Sequence, residues 1–166
     1  MVRSTRWSRI LTAILACLLL INSQKAFPQQ GKLPPFQIIQ SNGKLFRAQE
    51  LPVGKPIIII YFSPDCEECQ KFTEAIISRI DDFLKASIAM ITYFPVQDVS
   101  KYVSKHKLNI YPNIYVGTEG NSFFVRYYYN IQRFPFIALY NEKGNLIKIW
   151  DKEENIDDLS SRLKEL

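Results

Sequence analysis

Two cysteines separated by two residues stand at Cys66 and Cys69, within Ser63-Pro64-Asp65-Cys66-Glu67-Glu68-Cys69. A pair this close can close into a disulfide and open again, which is two-electron chemistry. The setting strengthens that reading. An apolar run from Pro56 to Phe62 ends just before the pair, and a helical pattern opens at Gln70. A buried strand therefore delivers the cysteines to a helix N-terminus, where free N–H groups and the helix dipole stabilise a thiolate. Cys66 lies at that terminus and is expected to be the reactive thiol. Cys69 lies a turn further in and is expected to be protected. Glu67 and Glu68, between the sulfurs, disfavour the thiolate by like charge. They are expected to make the pair more reducing than an uncharged version of itself. Strong oxidants show the opposite property, a stabilised reduced form.

The third cysteine, Cys17, belongs to a different kind of segment. Arg3, Arg6 and Arg9 precede an apolar run from Ile10 to Ile21. Such a run has the length of a signal-peptide core and is short for a membrane span. Ser23 and Ala26 offer small residues for cleavage. Residues 1–26 therefore read as a signal peptide, with an uncleaved anchor through 10–21 as the alternative. Ile14-Leu15-Ala16-Cys17 resembles a lipoprotein cleavage box only loosely, because Leu18 to Ile21 carries the apolar run past the cysteine. Once the leader is removed, only Cys66 and Cys69 remain. A bridge across so short a loop is a poor staple, since the entropy gained by closure grows with loop length. An exported chain with one close pair thus favours redox use of it.

The leader also accounts for the charge. The net charge of +5 suggests nucleic acid, but Arg3, Arg6, Arg9 and Lys25 lie in the first 26 residues, which contain no acid. Without them 17 basic residues face 16 acidic ones, so no nucleic-acid partner is inferred. With 166 residues, 47% hydrophobic and 22% charged, the rest is enough for one globular domain with a core.

The elements that must position the cysteines follow from pattern. Residues 27–35 are polar and proline-bearing and read as a linker to a domain over 36–166. Phe36 to Gln40 and Lys44 to Arg47 flank Ser41-Asn42-Gly43, a hairpin signal. Ile57 to Phe62 shows no alternation, so the strand is covered on both faces, as in a parallel sheet. Phe72, Ile76, Ile80 and Phe83 form one apolar stripe on the helix after the cysteines. Its start is predicted either at Asp65, with Glu68 completing a capping box, or at Ser63, with Pro64 in the first helical position. Ser87 to Phe94 is the next strand, joined by a right-handed crossover. Asp98 to His106 reads as a helix, Asn113 to Val116 as a brief strand, and Ser122 as the cap of a helix carrying Phe124, Val125, Tyr128 and Tyr129. Phe136 to Tyr140 and Leu146 to Trp150 form a hairpin around Asn141-Glu142-Lys143-Gly144. Ile156, Leu159, Leu163 and Leu166 line a last amphipathic helix.

This order, with Tyr61-Phe62-Ser63-Pro64-Asp65-Cys66-Glu67-Glu68-Cys69, Arg133-Phe134-Pro135-Phe136 and Asn141-Glu142-Lys143-Gly144-Asn145, resembles the thioredoxin-like fold. More closely, it is similar to exported bacterial thiol–disulfide oxidoreductases of the redoxin/TlpA/ResA type. The resemblance implies a three-layer α/β sandwich: a mixed central sheet with helices on both faces and an N-terminal β-hairpin. It implies Cys66 as nucleophile, Cys69 as resolving thiol and Pro135 as a cis-proline facing them. Phe134 would then offer its backbone to an extended substrate chain. Protein thiols and disulfides are the implied partners, with no cofactor and a monomeric chain. A reductant outside the cytoplasm would also need a membrane-bound electron donor. The sequence departs from the pattern at Ile60 and Phe72, where thioredoxins and ResA-like proteins respectively carry the acid that serves the second thiol.

Three rival readings stand beside this one. Cys66, Cys69 and His106 could supply three ligands to copper or zinc, which takes four, or three plus water. His106, between Lys105 and Lys107, is expected to be a solvated surface residue, so no metal site is assigned. A peroxiredoxin wants Ser or Thr three residues before its nucleophile, met by Ser63, and Pro seven before, where Ile59 stands. A non-catalytic thioredoxin-fold binding module would use Tyr111, Tyr115 and Tyr127-Tyr128-Tyr129 as a contact surface, against their use as packing.

Overall fold

The computed structural model describes residues 31–151 and 155–166. The expected signal peptide, its cleavage positions, Cys17 and the start of the linker lie outside them.

The run Ile57–Tyr61 forms strand β3, and every residue of it is buried. β-branched side chains suit a pleated strand covered on both sides. The pleat sorts them between two cores. Ile58, Ile60 and the following Phe62 enter one; Ile57, Ile59 and Tyr61 enter the other. In chain order the strands are β1 (Gln37–Gln40), β2 (Leu45–Arg47), β3, β4 (Ser87–Thr92), β5 (Ile114–Thr118), β6 (Phe136–Tyr140) and β7 (Leu146–Trp150). They form one sheet in the order β2-β1-β5-β4-β3-β6-β7. β3, β4 and β5 run parallel. The hairpins β1–β2 and β6–β7 join antiparallel on the two sides. At the β1–β5 junction a Cβ on Gly117 would lie 2.8 Å from the Ile39 carbonyl oxygen, so the backbones approach where only glycine fits.

The helices described are α1 (Glu67–Ser78), α2 (Ile80–Phe83), α3 (Val96–Lys105), α4 (Phe124–Tyr128) and α5 (Ile156–Lys164). Phe72, Ile76, Phe83, Val99, Leu159 and Leu163 cover one face of the sheet from α1, α2, α3 and α5. Val125 of α4 covers the other face, with Phe36, Phe46 and Ile131. The result is the three-layer mixed sandwich expected from the sequence. No helix among the described residues is long and apolar enough to cross a membrane.

Several local expectations are corrected. The stripe from Phe72 to Phe83 is divided between two helices, because Arg79 leaves helical geometry at φ −122°, ψ 29°. Its guanidinium bonds Asp82 at 2.9 and 3.1 Å and Asp157 at 2.5 Å. Ser122 does not cap α4; its hydroxyl donates to the Glu119 carbonyl at 2.8 Å. Asn113 stays out of β5 because its amide donates to the Phe83 and Ala86 carbonyls, closing the turn before β4. The segment read as linker is fastened from Gly31 onward. Lys32 bridges to Asn145, Leu33 N–H donates to Gly144 O at 3.0 Å, and Leu146 N–H donates to Gly31 O at 2.7 Å.

Asp82 of α2 ties α5 to Arg79, the residue that ends the cysteine-bearing helix. Its carboxylate accepts from Arg79, from Ser160 at 3.0 Å and from Lys164 at 3.0 Å. The Lys164 and Arg79 cations, with the Ser160 hydroxyl, hold its carboxyl down to about 2. A depressed carboxyl contributes stability above its unfolded value, near ~3.9, and loses it as pH falls through the folded value. Asp82→Asn is expected to lower the thermal midpoint at pH 6 and to flatten the acid decline between about pH 4 and pH 2. Melting curves of both proteins across that window check it.

Candidate active site

Helix α1 begins on the first cysteine. Cys66 is extended at φ −82°, ψ 120°, and its Sγ accepts a hydrogen bond from Cys69 N–H at 3.2 Å. Neither predicted cap is used. Ser63 and Pro64 instead hold the approach: Cys66 N–H donates to Ser63 O at 3.1 Å, and Gln70 Nε2 donates to Pro64 O at 3.0 Å. Sulfur therefore occupies the position usually taken by a serine or aspartate oxygen.

The two thiols are unbridged and differ in environment. Cys66 is half-buried, while Cys69 is 1% exposed within the core beneath α1. Burial pushes the Cys69 thiol up, and its hydrogen bond with Cys66 adds to the effect. As the departures at Ile60 and Phe72 imply, both those positions are buried apolar side chains. The polar groups beside Cys69 come from α3 and from α1 itself. Tyr102 donates its hydroxyl to Cys69 O at 3.3 Å and shares a 2.7 Å hydrogen bond with Thr73 Oγ1. Burial pushes the Tyr102 hydroxyl up as well.

The Phe134–Pro135 bond is cis, and the Phe134 carbonyl oxygen lies 3.8 Å from Cys66 Sγ. The structure thus brings together Cys66, Cys69, Phe134 and Pro135, four of the six residues singled out in the sequence. It separates the remaining two. Glu68 Oε2 lies 3.7 Å from Cys66 Sγ. Glu67 turns away and pairs with Lys71 at 2.6 Å on the next turn. The Lys71 hydrogen bond lowers the Glu67 carboxyl. Only Glu68 is placed to act on the sulfur.

His106 is not the solvated surface residue expected from its two lysine neighbours. It is 8% exposed and packs on the Tyr102 ring, centroid to centroid 4.5 Å. Burial holds its imidazole below the usual histidine value. Among the described residues no three His, Cys, Asp or Glu side chains converge on one point. The tyrosine run is divided too. Tyr127 is 75% exposed, whereas Tyr129 is half-buried and its hydroxyl meets that of Tyr140.

A second layer of the site was not found from the sequence. Phe134 stacks on Tyr61, ring centroids 5.9 Å apart. Tyr61 donates its hydroxyl to Glu119 Oε1 at 2.6 Å. Glu119 is 9% exposed and also accepts from Val125 N–H at 2.7 Å and Arg126 N–H at 3.4 Å. Its carboxylate therefore caps α4 and anchors the ring beneath the proline loop. The only sequence signal was an acid at the end of the apolar run Ile114 to Thr118, just before Gly120.

No protein-family model and no curated protein sequence matches the chain. Solved structures do. A secreted Mycobacterium tuberculosis disulfide oxidoreductase homologous to E. coli DsbE superposes at TM-score 0.66 and 20% identity, over 80% of this chain and 96% of that one. The fold is thioredoxin-like. Peroxidoxin BcpB from M. tuberculosis superposes at TM-score 0.70 and 13% identity, over 82% and 96% of the two chains. The exposed lipoprotein thioredoxin of Streptococcus pneumoniae superposes at 0.57 and 19%, over 80% and 100%. The cysteine-bearing helix and the cis-proline loop of the present chain are thus elements of a thioredoxin-like domain.

The unequal glutamates give a test. Glu68→Gln removes a negative charge beside Cys66 Sγ and is expected to speed alkylation of Cys66 at neutral pH about threefold, allowing for screening. Glu67→Gln is expected to change the rate less, because that carboxylate turns away from the sulfur toward Lys71. Iodoacetamide labelling with mass-spectrometric site assignment distinguishes the two variants.

Proposed function

We propose that the protein is a thiol–disulfide oxidoreductase that exchanges disulfides with protein thiols outside the cytoplasm. One observation carries the reading. Cys66 Sγ sits on the N–H groups of a helix terminus, half-exposed, and faces the carbonyl that precedes a cis-proline. In the reducing direction the Cys66 thiolate attacks a substrate disulfide. A Cys66–substrate disulfide forms and one substrate thiolate leaves. Cys69 then loses its proton and attacks Cys66 Sγ, releasing the second substrate thiolate and closing the Cys66–Cys69 disulfide. Two electrons pass to the substrate, and the reverse sequence oxidises it. Burial keeps Cys69 protonated and sheltered, which leaves the first attack to Cys66. Phe134 and Pro135 would hold the substrate segment in extended form against Cys66.

Export rests on the leader over 1–26 and is supported by the secreted and exposed neighbours above. Residues 10–21 would serve as an anchor if the leader is retained. Working as a reductant there, the domain would be recharged by a membrane-bound dithiol donor, and it would act as a monomer. The peroxidase reading is weaker, because Ile59 lies buried in β3 where that chemistry places its proline.

The trapping experiment tests the reading. With Cys69→Ser, a mixed disulfide with a disulfide-bonded substrate protein is expected to accumulate on Cys66 and to be released by dithiothreitol. Cys66→Ser is expected to abolish both trapping and exchange. Trapping on Cys69 in the Cys66→Ser protein would reverse the roles. Biological activity surviving the double serine variant would favour the binding-module reading.

A further inference from the structure

Arg126 takes no part in the exchange described above, yet it stands beside the site. Its guanidinium carbon lies 5.3 Å from the centroid of the Tyr93 ring and 5.7 Å from that of the Phe134 ring. Phe134 is the residue whose carbonyl oxygen faces Cys66 Sγ. Two aromatic faces hold the cation in place and strip part of its water. Glu119 belongs to the same turn, but its carboxylate is engaged by the Tyr61 hydroxyl and the Val125 and Arg126 backbone N–H groups. Among the described residues the Arg126 guanidinium makes no ion pair and no hydrogen bond. Arg126 also lines a cleft of about 300 Å³ with Phe123, Tyr127, Asn130, Ile131 and Gln132. On the cysteine loop, Asp65 and Glu68 are exposed carboxylates. A chain laid past Cys66 therefore meets negative charge on the cysteine loop and positive charge beyond Phe134.

The geometry points to a recognition subsite: Arg126 receives an acidic side chain, aspartate or glutamate, from the protein segment that exchanges with Cys66. The inference rests on the thiol-exchange function proposed above and names its substrate class. A guanidinium matches a carboxylate through two parallel N–H···O bonds. The Tyr93 and Phe134 rings preorganise it, so less side-chain freedom is lost on binding. Phe123 and Tyr127 wall the cleft, and a pair formed there is screened less than one in open water. Arg126 does not touch the reacting sulfurs. Its effect belongs in substrate binding, and hence in KM rather than kcat.

The test uses the reduced full-length protein and symmetrical disulfides of short synthetic peptides, each with a single cysteine. Asp, Asn or Lys is placed at each of the two positions on either side of that cysteine. Each turnover oxidises Cys66 and Cys69 to their disulfide and reduces one peptide disulfide to two peptide thiols. At one position the Asp peptide is expected to exchange roughly tenfold faster than the Asn peptide below saturation, through KM, with the Lys peptide slower still. Rising salt should shrink that preference. Arg126→Gln should abolish it, and Arg126→Lys should keep part of it. Equal Asp and Asn rates at every position would overturn the subsite, as would a preference unchanged in Arg126→Gln. If Arg126→Gln melts too low to assay, Arg126→Lys decides: an undiminished preference that ignores salt overturns the assignment. Absence of exchange with every peptide would instead overturn the thiol-exchange function, and the subsite with it.

Discussion

A sulfur atom ends a helix in this protein, and the site depends on that contact. Cys69 N–H donates to Cys66 Sγ, so the group that caps α1 is also the group proposed to react. A capping oxygen would be inert. A capping thiol gains from the same N–H groups that the helix must satisfy in any case. The arrangement sets two conditions on the rest of the chain. Strand β3 has to end within reach of the first turn, which the buried run Ile57–Tyr61 and the Ser63–Pro64 approach achieve. The second cysteine has to lie inward, where Phe72 and Ile76 pull that face of α1 into the core.

The behaviour of Cys69 follows from what surrounds it. Ile60 and Phe72 are buried apolar side chains. The Tyr102 hydroxyl bonds the Cys69 backbone carbonyl and Thr73, and its ring packs on His106. Burial is the largest cause holding Cys69 protonated, and its hydrogen bond with Cys66 adds to it.

The cysteine helix, the crossover and both hairpins were legible because each rests on a local signal. Asn42-Gly43 marks one turn, the unbroken β-branched run marks β3, and Phe136–Tyr140 and Leu146–Trp150 flank a turn of polar residues and glycine. The helix start was less legible. Ser63, Pro64 and Asp65 are all good cap residues, and only three-dimensional closure shows that Cys66 takes the position. Charge partners were invisible for a similar reason. Glu67 and Glu68 read alike in sequence, but helical geometry sends Glu67 to Lys71 one turn on and leaves Glu68 by the sulfur. Glu119 and Arg126 come 15 and 8 residues before Phe134 but more than 50 residues after Cys66, so no spacing rule could have joined them to the cysteine. His106 misled because its neighbours Lys105 and Lys107 are solvated, while His106 itself, four residues after Tyr102, falls on the same face of the helix as that ring.

The fastening of Gly31 and Lys32 to the β6–β7 turn has a mechanical consequence. β6 starts beside the cysteines at Phe136 and runs antiparallel to β3, ending at Tyr140 opposite Ile57. Its turn, with Asn145 bridged to Lys32, therefore lies at the other pole of the sheet, about 13 Å of strand away. Gly31, the first described residue, is held at that pole. A pull on the N-terminal end is borne by the Gly31–Leu146 and Leu33–Gly144 hydrogen bonds, and the load path misses the cysteine helix.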